Sequence, residues 1–214
     1  MAEPAHVASQ IATVFSEHTN VWLVRVLPPQ CDPDGLLYGW LNRNAYRTHE
    51  FWLENHHFAH YMTPNVMPEL AAPIQTPPAT FAGLFTLQGY ALSNAQPIPG
   101  EILALLLQWQ PLTSIDIDYK FFVVLLSPEG EIFAFRDGVP VNWTRATSSW
   151  QVDEIIADPW GLPVESYARP GRYPLYVGAY NPANGERLPL LTAAGEVVGD
   201  MLEIAILEVQ DGVE

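Results

Sequence analysis

PGRYPLYVGAYNPANGERL, residues 170–188, decides the reading of this chain. A Pro-Gly turn leads into a strand, Tyr173 to Tyr180, and Asn181-Pro-Ala-Asn-Gly185 turns the chain back. Strand alternation sets Leu175, Val177 and Ala179 on one face, with Tyr176 and Tyr180 on the other. Asn184-Gly185 fits a turn that needs positive φ, so Gly185 and Gly171 read as backbone requirements and not as ligand contacts. Just upstream, Thr147-Ser-Ser-Trp150 to Asp158 forms a second punctuated unit. Together the two look like late strands of an antiparallel sandwich.

Working outward, the same period of two recurs from residue 81 onward. Strands are expected over Phe81–Ala91, Glu101–Trp109, Tyr119–Leu126, Glu131–Arg136, Ile155–Ala157, Arg172–Tyr180 and Met201–Val209. Leu103, Leu105, Leu107 and Trp109 share one face of the second. Short strands separated by regular turns predict a mainly β domain, an antiparallel β-sandwich of immunoglobulin-like or jelly-roll kind, over 81–214. Residues 64–80 carry Pro64, Pro68, Pro73, Pro77 and Pro78 and read as a stiff Pro-rich linker. Ahead of it, 1–63 reads as a small α/β segment, the end of a layered α/β unit. It has a helix at His6–Phe15, a strand at Val21–Leu27, a helix at Leu36–Tyr46 and extended chain over Phe51–Met62. The continuous run VWLVRVL is the pattern of a strand covered on both faces.

Composition bounds the function. With 49% hydrophobic and 15% charged residues among 214, the chain folds and can bury a core. Nine basic against 24 acidic residues give a net charge of −15, which repels phosphate backbones and excludes nucleic acid as a partner. The single cysteine, Cys31, cannot form an internal disulfide. No apolar run approaches the roughly 20 residues that span a bilayer. The N-terminus lacks the regions of a signal peptide, so the chain is cytoplasmic if complete as given, and otherwise a piece of a longer one.

Catalytic and metal signatures are missing from the motifs. His49-Glu50 is not followed by the remainder of an HExxH motif, and His56 and His60 would lie about 13 Å apart on one strand. Asp32-Pro-Asp34-Gly35 begins like a calcium loop but lacks its later acids, so it reads as a turn. Asp116 and Asp118, joined by Asp137 or Asp153, form a further calcium candidate weighed against ordinary surface carboxylates. There is no Gly-x-Ser-x-Gly elbow, and Cys31 has no electropositive setting. A carboxylate pair for glycan hydrolysis leaves no sequence signature. Asn142-Trp-Thr144 matches a glycosylation sequon by pattern. Neither a cofactor nor a metal is expected.

The aromatic residues say more. Trp143, Trp150 and Trp160 fall in a loop-rich span, where flat rings can stack on sugars or plug the ends of the sandwich. Asn142, Arg145, Asp153 and Asp158 lie beside them and can hydrogen-bond hydroxyl groups. These seven residues are the expected ligand-binding set.

Several pieces also carry a resemblance. Val21-Trp-Leu-Val and Asp32-Pro-Asp-Gly-Leu with Trp40-Leu41 resemble the segment after the last membrane span of bacterial membrane glycosyltransferases. The type is that of the dolichyl-phosphate-mannose-protein mannosyltransferases (glycosyltransferase family 39-like). Asp118-Tyr119, Phe122-Val-Val-Leu125, Pro128-Glu-Gly130, Asp137-Gly-Val-Pro140, Thr147-Ser-Ser-Trp150, Asp158 and Pro170–Leu188 resemble the extra C-terminal sandwich that some of these proteins carry. Two positions depart from that pattern, Val152-Asp153 before Glu154 and Val124. The resemblance implies an extracytoplasmic, membrane-proximal accessory domain, anchored through a longer parent chain. It would bind a glycan or lipid-linked sugar, or pack on the membrane part. The family's catalytic acids lie in that membrane part, so no catalytic residue carries over to this chain. A free-standing carbohydrate-binding module is the alternative, and a glycan hydrolase a third reading.

Overall fold

The computed structural model describes residues 4–27, 32–63 and 79–212. Cys31 and nearly all of the expected linker, residues 64–78, lie outside the described residues.

Helices α1 (Pro4–Glu17) and α2 (Leu36–Asn44) alternate with strands β1 (Asn20–Val26), β2 (Tyr46–Leu53) and β3 (His56–Met62). Val7, Ile11 and Phe15 recur at helical spacing and pack with Leu37, Trp40 and Leu41 of α2. Asp32 starts α2: its carboxylate accepts the Leu37 and Tyr38 N–H groups at 3.2 and 3.1 Å. The DPDG stretch is thus a helix entry, with the negative charge at the positive end of the helix dipole.

This N-terminal unit differs from the sequence reading in three ways. Phe51–Met62 is not one extended piece, because the chain reverses at Glu54 (φ +52) to make the β2–β3 hairpin. Its sheet has order β1-β3-β2 and is antiparallel throughout, so it is not the end of a parallel βα stack. Thirdly, β1 is covered on one face only. Val21 and Leu23 face Ala59, Tyr61 and the helices. The other face is open, in three rows set by the register: Trp22–His60–His49, Val24–Phe58–Phe51 and Val26–His56–Leu53. Both helices pack on the same side, and among the described residues nothing covers it.

The sandwich follows. Its strands are β4 (Thr80–Phe81), β5 (Phe85–Leu92), β6 (Ile102–Pro111), β7 (Lys120–Leu126), β8 (Ile132–Gly138), β9 (Ile156–Pro163), β10 (Gly171–Tyr180), β11 (Leu190–Leu191), β12 (Val197–Gly199) and β13 (Leu202–Val209). One sheet has order β12-β11-β4-β5-β6-β9 and the other β13-β10-β7-β8. The predicted alternation is observed. Leu103, Leu105, Leu107 and Trp109 face Phe121, Val123 and Leu125 of β7 and Leu175, Val177 and Ala179 of β10, all fully buried. Apolar inner rows on both sheets are what a sandwich core requires. The fold is an antiparallel β-sandwich.

The N-terminal unit seats on the outer face of the six-stranded sheet. Tyr46 and Met62 bury Ala104 of β6. At Gly161 of β9 an added Cβ would stand 2.5 Å from Thr48 Cγ2 and 2.8 Å from the Arg47 carbonyl. Glycine is what lets the two units approach there.

After β10 the chain turns through Asn181–Glu186. The Gly185 N–H donates to the Asn181 carbonyl at 2.8 Å, and Gly185 has φ +76. Space around its absent Cβ is open, so the cost of a side chain is purely conformational. Gly185→Val should lower stability by roughly 1–3 kcal/mol, read from the denaturant midpoint. An unchanged midpoint would mean that the turn tolerates an L-residue.

Candidate functional site

The expected binding residues divide into buried and accessible groups. Trp150 and Trp160 are 5% and 7% exposed and belong to the core. Trp160 lies within β9 and points inward in alternation with Ile156 and Leu162. Trp150 folds back after the Thr147–Ser149 turn onto Phe85 and Phe121. Both rings are plugs, which removes them as stacking platforms. Trp143 is 46% exposed and remains as the accessible ring of the three.

Asp158 is buried as well. Its carboxylate accepts the Val141 N–H at 2.6 Å, Trp160 Nε1–H at 2.8 Å and Trp109 Nε1–H at 3.2 Å. Burial pushes its pKa up to about 6, against the three donors that pull it down. Such a value suits a general acid. Here, however, the group is sealed from any substrate, so its role is structural.

That role is to hold an unusual turn. Val141, Asn142 and Trp143 have φ of +55, +52 and +72, three successive non-glycine residues in the left-handed region. Each costs on the order of 1–3 kcal/mol and persists only where its surroundings fix it. They do so here. Asp158 holds Val141, the Trp143 N–H donates to the Val139 carbonyl at 2.9 Å, and Thr144 Oγ1 donates to the Val141 carbonyl at 2.7 Å. Asn142 is buried and donates across the seam to the Asn42 carbonyl at 3.0 Å. Sequence reasoning had no access to this turn, since Val-Asn-Trp contains no glycine to signal positive φ.

The turn lays the Trp143 indole beside Gly138, where any Cβ would come within 3.2 Å of Nε1. Lys120 Nζ stands 4.6 Å from the centroid of the ring, a cation–π contact. Lys120 also lies 3.7 Å from the Asp137 carboxylate, which in turn accepts the Tyr180 hydroxyl. Burial, followed by the bond to Asp137, pushes the Tyr180 phenol up to about 12. Behind the ring, Arg136 donates to the carbonyls of Arg47 and Gly161, tying sandwich and N-terminal unit together. Burial lowers its guanidinium to about 10, so it stays charged. Arg47, Arg136, Asp137, Asn142, Trp143 and Trp160 line a shallow recess of about 10 Å³, room for about one water molecule. Of this neighbourhood the sequence pointed to Asn142, Trp143 and Trp160. It missed Lys120, Arg136, Asp137 and Tyr180 as partners of the ring; the outward alternation of Tyr176 and Tyr180 on β10 was the available signal.

Arg145 and Asp153 are not brought to this recess. Arg145 pairs with Glu154 at 2.9 Å, and Asp153 is an exposed turn residue (φ +65) whose carboxylate accepts Gln110 Nε2 at 3.5 Å. Asp118 accepts the Ser148 N–H at 3.1 Å, and hydrogen bonding from the Ser148 side chain first and then from this N–H lowers its pKa, while Asp116 is exposed. The histidines build the N-terminal sheet. His57 is buried: its Nδ1 accepts from Arg25 and its Nε2–H donates to Glu50 at 3.0 Å, which fixes a neutral tautomer. Burial lowers its pKa first of all. Among the described residues no group of three or more His, Cys, Asp or Glu is placed to hold a metal ion. No helix among them is long and apolar enough to cross a membrane.

No family model matches this chain, and no curated protein does. Among solved structures it is similar to the C-terminal domain of wzt, at 13% identity and TM-score 0.46, covering 66% of this chain and 82% of that one. A CARDB domain of the PF1109 protein from Pyrococcus furiosus, in complex with di-metal ions, is similar at 9% identity and TM-score 0.30. There the cover is 65% of this chain and 94% of the other. Neither likeness carries an argument about ligand or partner. The fold and this surface define a β-sandwich domain with an α/β unit seated on one sheet and an exposed tryptophan at the seam.

Proposed function

We propose that this chain is a non-catalytic accessory region that holds a glycan against Trp143, as part of a longer extracytoplasmic membrane glycosyltransferase. The observation that carries the glycan reading is the ring itself. It is half-exposed, fixed on a strained turn, and flanked by Lys120 and Asp137. Apolar ring faces suit the CH-rich face of a pyranose, while a neighbouring cation and carboxylate offer a donor and an acceptor to its hydroxyl groups. The recess is far smaller than the usual ligand pocket of roughly 300–1,000 Å³, so a sugar would lie on the exposed part of the ring and not in the recess. One exposed ring offers contact to a single sugar of a longer chain, and binding is expected to be weak because each sugar gives up many water contacts. The parent enzyme is supported by the resemblance of residues 21–41 and 118–188. The upstream coding region tests it: about a dozen apolar spans favour the accessory region, and none favours a free-standing sugar-binding module.

Titration of mannan, arabinan and lipid-linked sugar analogues, followed by tryptophan fluorescence, tests the site. At least one should give a saturable change. Trp143→Ala should weaken that binding at least about tenfold while keeping stability within about 1 kcal/mol, since an exposed ring leaves no cavity. A parent that responds to none of the three, or a variant that binds as the parent does, would sink the glycan reading. Release of reducing ends from any of them would favour the hydrolase instead.

A further inference from the structure

Strand β1 closes one side of the N-terminal sheet, and its register with β3 shows what its free edge offers. The Leu27 N–H donates to the Asn55 carbonyl, and the Thr63 N–H donates to the Thr19 carbonyl. In an antiparallel ladder bonded pairs alternate, so Val21, Leu23 and Arg25 turn their backbone groups to β3. Asn20, Trp22, Val24 and Val26 turn theirs outward. Among the described residues no hydrogen bond reaches those outward groups. The usual protections of an edge are missing too: Asn20–Val26 contains no proline and no lysine, and its pairing with β3 is unbroken by any bulge. The side chains of the same residues are exposed, Trp22 at 56%, Val24 at 51% and Val26 at 47%.

We propose that β1 is a self-association edge, pairing antiparallel with β1 of a second copy across a two-fold axis at Leu23. In that register Trp22 faces the partner's Val24, Asn20 faces the partner's Val26, and all outward backbone groups of both strands are satisfied. The apolar rows of the two open faces then run on over six strands. Electrostatics permits a second copy here. Each copy carries −15, yet the three rows of this face contain no carboxylate. Two like-charged chains can therefore approach along it without bringing carboxylates together. Trp22, Val24 and Val26, each about half-exposed, flank the joint, while Phe51 and Leu53 on β2 stay outside it, so the buried area falls below the about 1,000 Å² in total of a stable specific interface and the pairing is of the weak class. The dimer is correspondingly expected to be concentration-dependent.

Sedimentation equilibrium of the chain over about a hundredfold range of concentration should show monomer and dimer in exchange. Val24→Lys places a charge on the edge and should give a monomer that melts with the parent, whereas Val24→Thr should still dimerise. In a Cys31→Ser background, Leu23→Cys should oxidise to a cross-linked dimer, because the paired Leu23 positions would sit about 4.5 Å apart at Cα. A parent that stays monomeric overturns the proposal, as does a dimer that survives Val24→Lys or a Leu23→Cys that does not cross-link. A monomer that takes an added extended peptide along β1 would likewise overturn it and assign the edge to another protein.

Discussion

Replacing Asp158 by alanine should cost about 3–5 kcal/mol, the range for removing one side of a buried charged hydrogen-bond network. Three N–H groups, on Val141, Trp109 and Trp160, lose their acceptor in the middle of the core. Each buried donor left unsatisfied costs roughly 1–3 kcal/mol. The left-handed turn loses its anchor at the same time, so Trp143 should lose its fixed position and glycan binding should weaken in any population that remains folded. The pH dependence separates charge from shape. Burial raises the folded pKa of Asp158 to about 6, above its ordinary value of 3.8. In that interval the native state holds a proton that the unfolded state has lost, so the contribution of Asp158 to stability falls as pH rises from about 4 to about 6, by about 3 kcal/mol, while His57 and His60, whose pKa values burial lowers, act in the opposite sense. Asp118 and Glu154 also act in that opposite sense, held low by bonds to Ser148 and Gln151, but Asp118 is exposed and Glu154 half-buried near the surface, so solvent screens both. Asp158→Asn keeps one carbonyl acceptor and cannot ionise. Its stability difference from the parent, followed by denaturant titration from pH 4 to 7, should change along this curve. A difference that stays flat would mean that Asp158 is ionised in the fold at every pH tested.

Alternation is a property of local sequence, and the sandwich core was legible for that reason. Leu103–Trp109 and Leu175–Ala179 each repeat apolar residues at every second position, and in the structure they are the two inner rows. The two- and three-residue strands β4, β11 and β12 were not legible, because so short a segment has no period. Asp158-Pro159 looked like the end of a strand, yet β9 runs through it. Proline is tolerated there because β9 lies at the edge of its sheet. This misplacement also explains Trp160, which reads as a loop aromatic until β9 is extended and alternation turns it inward. The candidate site was legible only in part. Trp143 and Asn142 stood out as residue types, but Arg136, Lys120, Asp137 and Tyr180 gather around them through pairing of β8, β7 and β10, and strand order is a tertiary fact. The seam is less visible still. It rests on Gly161 meeting Arg47 and on Asn142 meeting Asn42, contacts separated by about a hundred residues in the chain.

Trp150→Ala should be as damaging as the loss of Asp158, and for a different reason. The ring is 5% exposed and packs 5.6 Å from Phe121 and 5.9 Å from Phe85, centroid to centroid, at one end of the core. Its Nε1–H donates to the Arg145 carbonyl at 3.3 Å. Truncation removes those contacts and opens a cavity, which for tryptophan costs about 3–5 kcal/mol, with the value set by how far the surroundings can collapse. Here they cannot move far. Thr147 just before it accepts the Tyr119 N–H at 2.9 Å and donates to the Ile117 carbonyl at 2.6 Å, and the Ser148 N–H is held by Asp118. These bonds pin the segment from the outside, so the void should persist and the loss should fall near the upper end of the range. Trp150→Phe refills part of the volume and should recover more than half of it. Chemical denaturation of parent, Trp150→Ala, Trp150→Phe and Trp143→Ala under one condition gives the comparison, with an unchanged m-value confirming that the same transition is measured. If Trp150→Ala and Trp143→Ala lose equal stability, the division of the two rings into core plug and surface platform is wrong, and the glycan reading loses its physical basis with it.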